Sequence, residues 1–303
     1  MSSASRRHGA RGRAGFTLIE MLIGMVLTAL IAAFIFRFVI YEGRLVSLQS
    51  ARQEALQNAR MPLMLLSSEL RAASPEGIIS AQNDSLEMMV PRVSGLVCSV
   101  SGSTVVGIFP LLDDDVFTRA TTTGVRIQHA ARWLPGKSQA LALVSDIDPP
   151  ASIVGTPCES LRSFSDTTRT VRAVTITVGS GQSPLSAAVA GDLMYLYDVV
   201  RYDKSTVTDA TGTNTWLRRS YGVPGVSGSS QQPMAGPLSG GGFRLAYQQI
   251  NGGLWSTATP GRDSAGISRI RSVTLTIVTT SKAAGKSIAV RADSATTTAT
   301  LRN

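Results

Sequence analysis

The chain has 303 residues, 43% of them hydrophobic and 16% charged, with 29 Lys and Arg against 20 Asp and Glu for a net charge of +9. That length exceeds one ordinary domain and is ample for a hydrophobic core. Two cysteines and two histidines, one of them His8 near the start, exclude a structural zinc cluster, and with no dense Lys/Arg run beyond Arg13 the positive excess is that of a solubilising surface.

Residues 1–15 form a basic leader that carries Arg6, Arg7, Arg11 and Arg13 and no acid. Residues 16–36 follow as 21 residues whose only charge is Glu20, close to the ~20 that an α-helix needs to cross a bilayer. The positive-inside rule keeps the leader in the cytoplasm and sends the rest of the chain outward. An ordinary secretory signal places its small-residue cleavage site after the apolar region. Here Ala14-Gly15 precedes it, so a cut between Gly15 and Phe16 leaves the helix on the mature protein.

Within this register, Gly15-Phe16-Thr17-Leu18-Ile19-Glu20 closely resembles the type III signal of bacterial type IV prepilins and type II secretion pseudopilins. The resemblance implies cleavage after Gly15 by a prepilin peptidase and N-methylation of Phe16. It also implies that Glu20 pairs with the first-residue amine of a neighbouring subunit, which sets the axial step between helices. Elementary electrostatics agrees, because a lone carboxylate near the bilayer centre costs about 2.5–3.5 kcal/mol and normally has a partner. The alternative is a snorkelling acid at the end of an ordinary signal anchor.

Leu45, Leu48, Leu56, Leu63, Leu66 and Leu70 recur along one side of a helix, with Arg44, Arg52, Glu54, Arg60 and Glu69 between them. The anchor helix is therefore expected to run to about residue 70, its outer half burying the leucine stripe. Pro62 should bend it or start a new helix, and Ala72-Ala73-Ser74-Pro75-Glu76-Gly77 should end it. Arg37 falls inside the anchor, where it can snorkel outward.

Short β-rich runs then follow at 85–90, 104–109, 124–129, 140–144, 170–178, 192–201, 215–220, 242–249, 271–279 and 287–291. Val171-Arg172-Ala173-Val174-Thr175-Ile176-Thr177-Val178 alternates polar with apolar, as a sheet with one buried face requires. Segments 180–191 and 227–242 read as loops, and the tail 293–303 is weak in strand signal. Cys98 and Cys158 fall in the exported region, where a disulfide is expected; two buried free thiols are the alternative.

Beyond the signal, Arg60, Glu69-Leu70-Arg71-Ala72-Ala73, Leu217-Arg218-Arg219, Phe243-Arg244-Leu245-Ala246-Tyr247 and Asn251-Gly252-Gly253-Leu254-Trp255 resemble, in that order, a PilW-type minor pilin or a J-type minor pseudopilin. The fold expected is α+β and pilin-like: a long N-terminal transmembrane and amphipathic helix packed on an antiparallel β-sheet domain. The parts are a cleaved leader at 1–15, a helix at 16–74 with its transmembrane part at about 16–41, and a periplasmic or extracellular β-rich domain at 75–303. The implied partners are the prepilin peptidase, other pilins or pseudopilins, an inner-membrane assembly platform and membrane lipid.

Enzyme chemistry finds little support. There is no Gly-x-Ser-x-Gly elbow, P-loop or His-Glu-x-x-His, and His129, expected to be an ordinary surface side chain, is the only imidazole outside the leader. No cofactor or metal is expected. Asp113-Asp114-Asp115 lacks the ligand pattern of an EF-hand calcium loop. Trp133, Trp216, Trp255, Tyr195, Tyr197, Tyr202 and Tyr247 are spread among strands, which suits core packing better than base stacking on nucleic acid. Two functions remain: a filament subunit, either pilin or pseudopilin, and a signal-anchored envelope module or enzyme in which Glu20 is replaceable.

Overall fold

The computed structural model describes residues 17–73, 77–109, 124–130, 132–145, 153–156, 158–159, 172–178, 187–209, 212–221, 230–255, 264–267, 269–281 and 291–301. The leader with Gly15 and Phe16, and the Asp113–115 run, lie outside them. The architecture is α+β: one long apolar N-terminal helix and an antiparallel β domain.

Helix α1 spans Leu18–Ala72 in 55 residues and continues through Pro62 without restarting. Every residue from 17 to 46 is exposed, and burial begins at Ala55. The leucine stripe is thus only half right, for Leu63, Leu66 and Leu70 are buried while Leu45 is exposed and Leu48 and Leu56 are half-buried. Small residues, Ala55 and Ala59, fill the corresponding buried positions. They let a strand approach the helix backbone closely enough for the Thr279 hydroxyl to donate to the Ala55 carbonyl at 2.7 Å.

The strands are β1 (Ile78–Ala81), β2 (Leu86–Ser101), β3 (Thr104–Phe109), β4 (Gly124–His129), β5 (Arg132–Ser145), β6 (Arg172–Val178), β7 (Leu193–Asp209), β8 (Gly212–Tyr221), β9 (Ser230–Ala235), β10 (Leu238–Gln249), β11 (Leu254–Trp255), β12 (Ile270–Ser281) and β13 (Arg291–Thr300), with a short helix α2 (Ser264–Ile267) before β12. Several depart from the sequence expectation: β1 and β11 fall where no strand was expected, β2 runs on from Val90 to Ser101, and of the strand expected at 287–291 only Arg291 lies among the described residues. The 227–242 segment contributes β9 and the start of β10 instead of a loop. The tail, instead of being weak, forms β13, paired with β12 from Ser272↔Thr300 to Ser281↔Arg291.

All pairings are antiparallel. Strands β2, β3, β6, β5, β4 and β7 pair in that order, and β7 returns to β2, so the six close into a barrel. Val93, Val97, Val105, Phe109, Val125, Ile127, Val174, Ile176, Met194 and Leu196 fill its interior. Glycine is needed at Gly95, where a Cβ would run into the Ile108 carbonyl and the Phe109 ring, while Gly107 leaves room for the flexible end of Met194.

Strands β2 and β7 are long enough to leave the barrel and enter a second layer. There β1, β2, β7, β8 and β9 form one sheet, and β11, β10, β12 and β13 form another. Leu63, Leu66 and Leu70 of α1 share a core with Leu86, Met88, Val200, Tyr202, Phe243, Tyr247, Leu275 and Ile277 from these sheets. A bulge at Arg92 makes the continuity workable, since Pro91 pairs with Tyr197 and Val93 with Leu196. The buried positions therefore change from Leu86, Met88 and Val90 to Val93 and Val97 while staying on one face. Arg92 itself turns outward and pairs with the buried Asp198 at 2.7 Å.

Candidate assembly site

The start of α1 carries its own cap. Thr17 is the N-cap residue, its hydroxyl accepting the Glu20 backbone N–H at 3.3 Å, while the Glu20 carboxylate accepts the Thr17 N–H and hydroxyl, each at 3.2 Å. This reciprocal box meets two of the helix's orphan donors and puts an anion at the positive end of its dipole. The sequence reading assigned Glu20 only to intersubunit pairing and missed Thr17, although Thr-x-x-Glu before an apolar run is the signature of such a cap.

Glu20, Gly24, Thr28 and Ala32 follow at four-residue spacing and, with Met21, Met25 and Ala29, line a shallow notch on one helix face. The Thr28 hydroxyl donates to the Gly24 carbonyl at 2.7 Å, so its polar group is satisfied within the helix. Small residues in this pattern permit close approach of a second helix in lipid. By length and composition α1 is able to cross a membrane, and no residue of its apolar stretch is buried.

At the other end of α1, two of the sequence features singled out above meet. Glu69 is buried and receives Arg219 Nη2 at 2.5 Å and the Tyr202 hydroxyl at 2.6 Å. Arg219 also stacks over the Tyr221 ring, 5.3 Å from its centroid. Burial first, then the adjacent Glu69 charge, push the Tyr202 hydroxyl far above its ordinary pKa, so it stays a donor. This triad joins helix to β7 and β8 across a sequence gap of 150 residues.

The remaining singled-out residues are structural. Phe243, Leu245 and Tyr247 face the core, and the Tyr247 hydroxyl donates to the Gln82 carbonyl at 2.8 Å. Asn251, Gly252 and Gly253 make the β10–β11 turn, with Gly252 at φ +81°. Cys98 and Cys158 are joined by a disulfide, which seats Ile153 and its neighbours against Ile108 and Ala173. His129 is half-buried, not a free surface residue, and pairs with Asp192 at 2.9 Å. Tyr197, Tyr202 and Tyr247 are buried and Trp216 is half-buried; the side chains of Trp133 and Trp255 lie outside the described residues.

Residues 10–36 match the family described as prokaryotic N-terminal methylation motif. The chain carries a prepilin-type signal. That signal, joined to an apolar helix able to span a membrane, supports a type IV pilin or pseudopilin anchored in the cell envelope, and it implies processing by prepilin peptidase and assembly with other pilins. Comparison with curated proteins and with solved structures finds no match.

Proposed function

We propose that the chain is a minor pilin that joins, or initiates, a type IV pilus-like filament serving adhesion, twitching motility or DNA uptake. The observation that carries this reading is the methylation motif at residues 10–36, which runs into the apolar first half of α1, exposed at every residue from 17 to 46. Prepilin peptidase cuts between Gly15 and Phe16, the new Phe16 amine is methylated, and residues 16–41 insert in the inner membrane beneath an assembly platform. The leader at 1–15 is cytoplasmic and the domain at 75–303 is exported to the periplasm or cell surface.

Glu20 is the register-setting acid in this reading. Before cleavage its carboxylate is held by Thr17; afterwards the Phe16 amine of an adjacent subunit supplies the opposite charge that a low-dielectric filament core demands. The protein performs no catalysis and uses no cofactor. A J-type minor pseudopilin of type II secretion is the second reading, favoured by the same ordered features from Arg60 to Trp255.

The deciding experiment is intact-mass analysis and N-terminal sequencing of the membrane-recovered protein, in wild type, in Gly15→Ala and in a strain lacking prepilin peptidase. A mature start at Phe16 that is lost in both controls is the expected result. A start near Met1, or beyond residue 40, overturns it in favour of an anchored module.

A further inference from the structure

Within the Phe243–Tyr247 run, the core takes the alternate positions Phe243, Leu245 and Tyr247, which leaves Arg244 and Ala246 on the outer face. Both are exposed and line an open groove of about 740 Å³, within the size range of ligand sites. Its floor is Ala246, Thr274 and Thr276 on the outer face of β10 and β12. One wall is the β1–β2 turn, fixed in place because Leu245 N–H donates to the Asn83 carbonyl at 2.8 Å and Tyr247 holds Gln82.

The charges in the groove are unequal. Lys204 meets Asp84 at 3.1 Å, but among the described residues Arg244 has no carboxylate partner. Its Nε donates to the Gly241 carbonyl at 3.2 Å, which holds the guanidinium in place at the groove edge. Gly241, at φ +72°, makes this position available, since a Cβ there would lie 2.9 Å from Arg244 Nη2. Beyond the floor the surface continues as hydroxyls: Thr274 bonds Thr298 at 3.1 Å and Thr276 bonds Thr296 at 3.4 Å. Each pair keeps acceptor capacity for a ligand.

We infer that this groove and the threonine face beside it bind an acidic polysaccharide, with Arg244 forking a uronate carboxylate and the threonine hydroxyls receiving the sugar hydroxyls. A planar guanidinium suits bidentate carboxylate recognition. The lining offers no exposed aromatic platform, which argues against a ligand held by base stacking. This inference concerns the β domain and stands whether or not the chain enters a filament.

The test is a titration of the full-length protein, purified in detergent, with an oligogalacturonate. A neutral maltooligosaccharide of equal length and a single-stranded oligonucleotide of equal charge serve as competing probes. Saturable uronate binding is expected, with both other probes weaker by about tenfold or more and with Arg244→Gln and Ala246→Tyr each costing about tenfold. Ala246 is exposed, so its substitution fills the groove without touching the core, and an unchanged melting temperature verifies that fold. Absent saturation, equal or tighter binding of the oligonucleotide, or uronate binding indifferent to Ala246→Tyr overturns the inference.

Discussion

Glu69 shows how much one side chain settles in this protein. Its side chain is 9% exposed and that of its partner Arg219 is 7% exposed, so neither charge can fall back on water if the other is removed. Breaking a buried pair of this kind costs about 3–5 kcal/mol. Glu69→Ala should therefore lower the melting temperature by at least 6 °C, at roughly 2–4 °C per kcal/mol for a domain of this size. Replacing both partners, as Glu69→Leu with Arg219→Met, should cost clearly less, and thermal unfolding followed by circular dichroism separates the two outcomes. Tyr202 adds a pH dependence of definite sign. Burial and Glu69 raise its folded-state pKa, so its contribution is complete below about pH 10, the unfolded value, and is lost as pH rises beyond it. Tyr202→Phe should flatten the alkaline limb of a stability profile even as it removes the bond to Glu69. Neither effect was visible in the sequence, although Glu69 and Arg219 were both singled out there. A partnership 150 residues apart leaves no local pattern.

Among the elements, the apolar helix and the alternating strands were readable because each is a local, periodic signal. Strand β2 was recognised only as far as Val90. Pro91 and the bulge at Arg92 shift the buried positions by one residue, and an alternation counted in twos stops there. Strand β13 escaped for another reason: its inward positions are Ala295, Thr297 and Ala299, too small and too polar to register as a buried face. The signal at the helix start was readable because its glycine, phenylalanine and acid stand in one short motif, although the cap that Thr17 makes with Glu20 was missed. On the proposed filament role, Glu20→Gln should leave cleavage at Gly15 intact yet reduce recovery of the protein in sheared filaments by about tenfold or more, as expected if it removes a charge pair that assembly would bury. Equal recovery of the variant would show that Glu20 serves only as a cap. The disulfide acts on a loop with a sequence separation of 60, for which the chain-entropy model gives about 4 kcal/mol. Cys98→Ser should lower thermal stability accordingly, measured on oxidised protein.

For the molecule as a whole, burial along α1 begins only at Ala55. A chain starting at residue 51 and exported on a cleavable secretory signal retains Ala55, Ala59, Leu63, Leu66, Glu69 and Leu70, and should be recovered as a folded, monodisperse protein. One starting at residue 73 exposes the apolar surface that those side chains cover and should aggregate, which size-exclusion chromatography distinguishes. Closure of the barrel was beyond sequence reasoning, because it depends on β7 returning to β2, as in Leu193 pairing with Leu96, and not on any property of either strand alone.

Strands β2 and β7 also belong to both hydrophobic cores, with Val97 and Met194 in the barrel and Met88 and Tyr202 in the layer beneath the helix. Fraying either core strips hydrogen-bonded neighbours from strands that the other core needs. The two cores are consequently coupled through the backbone itself, and heating should produce a single calorimetric endotherm whose van't Hoff and measured enthalpies agree.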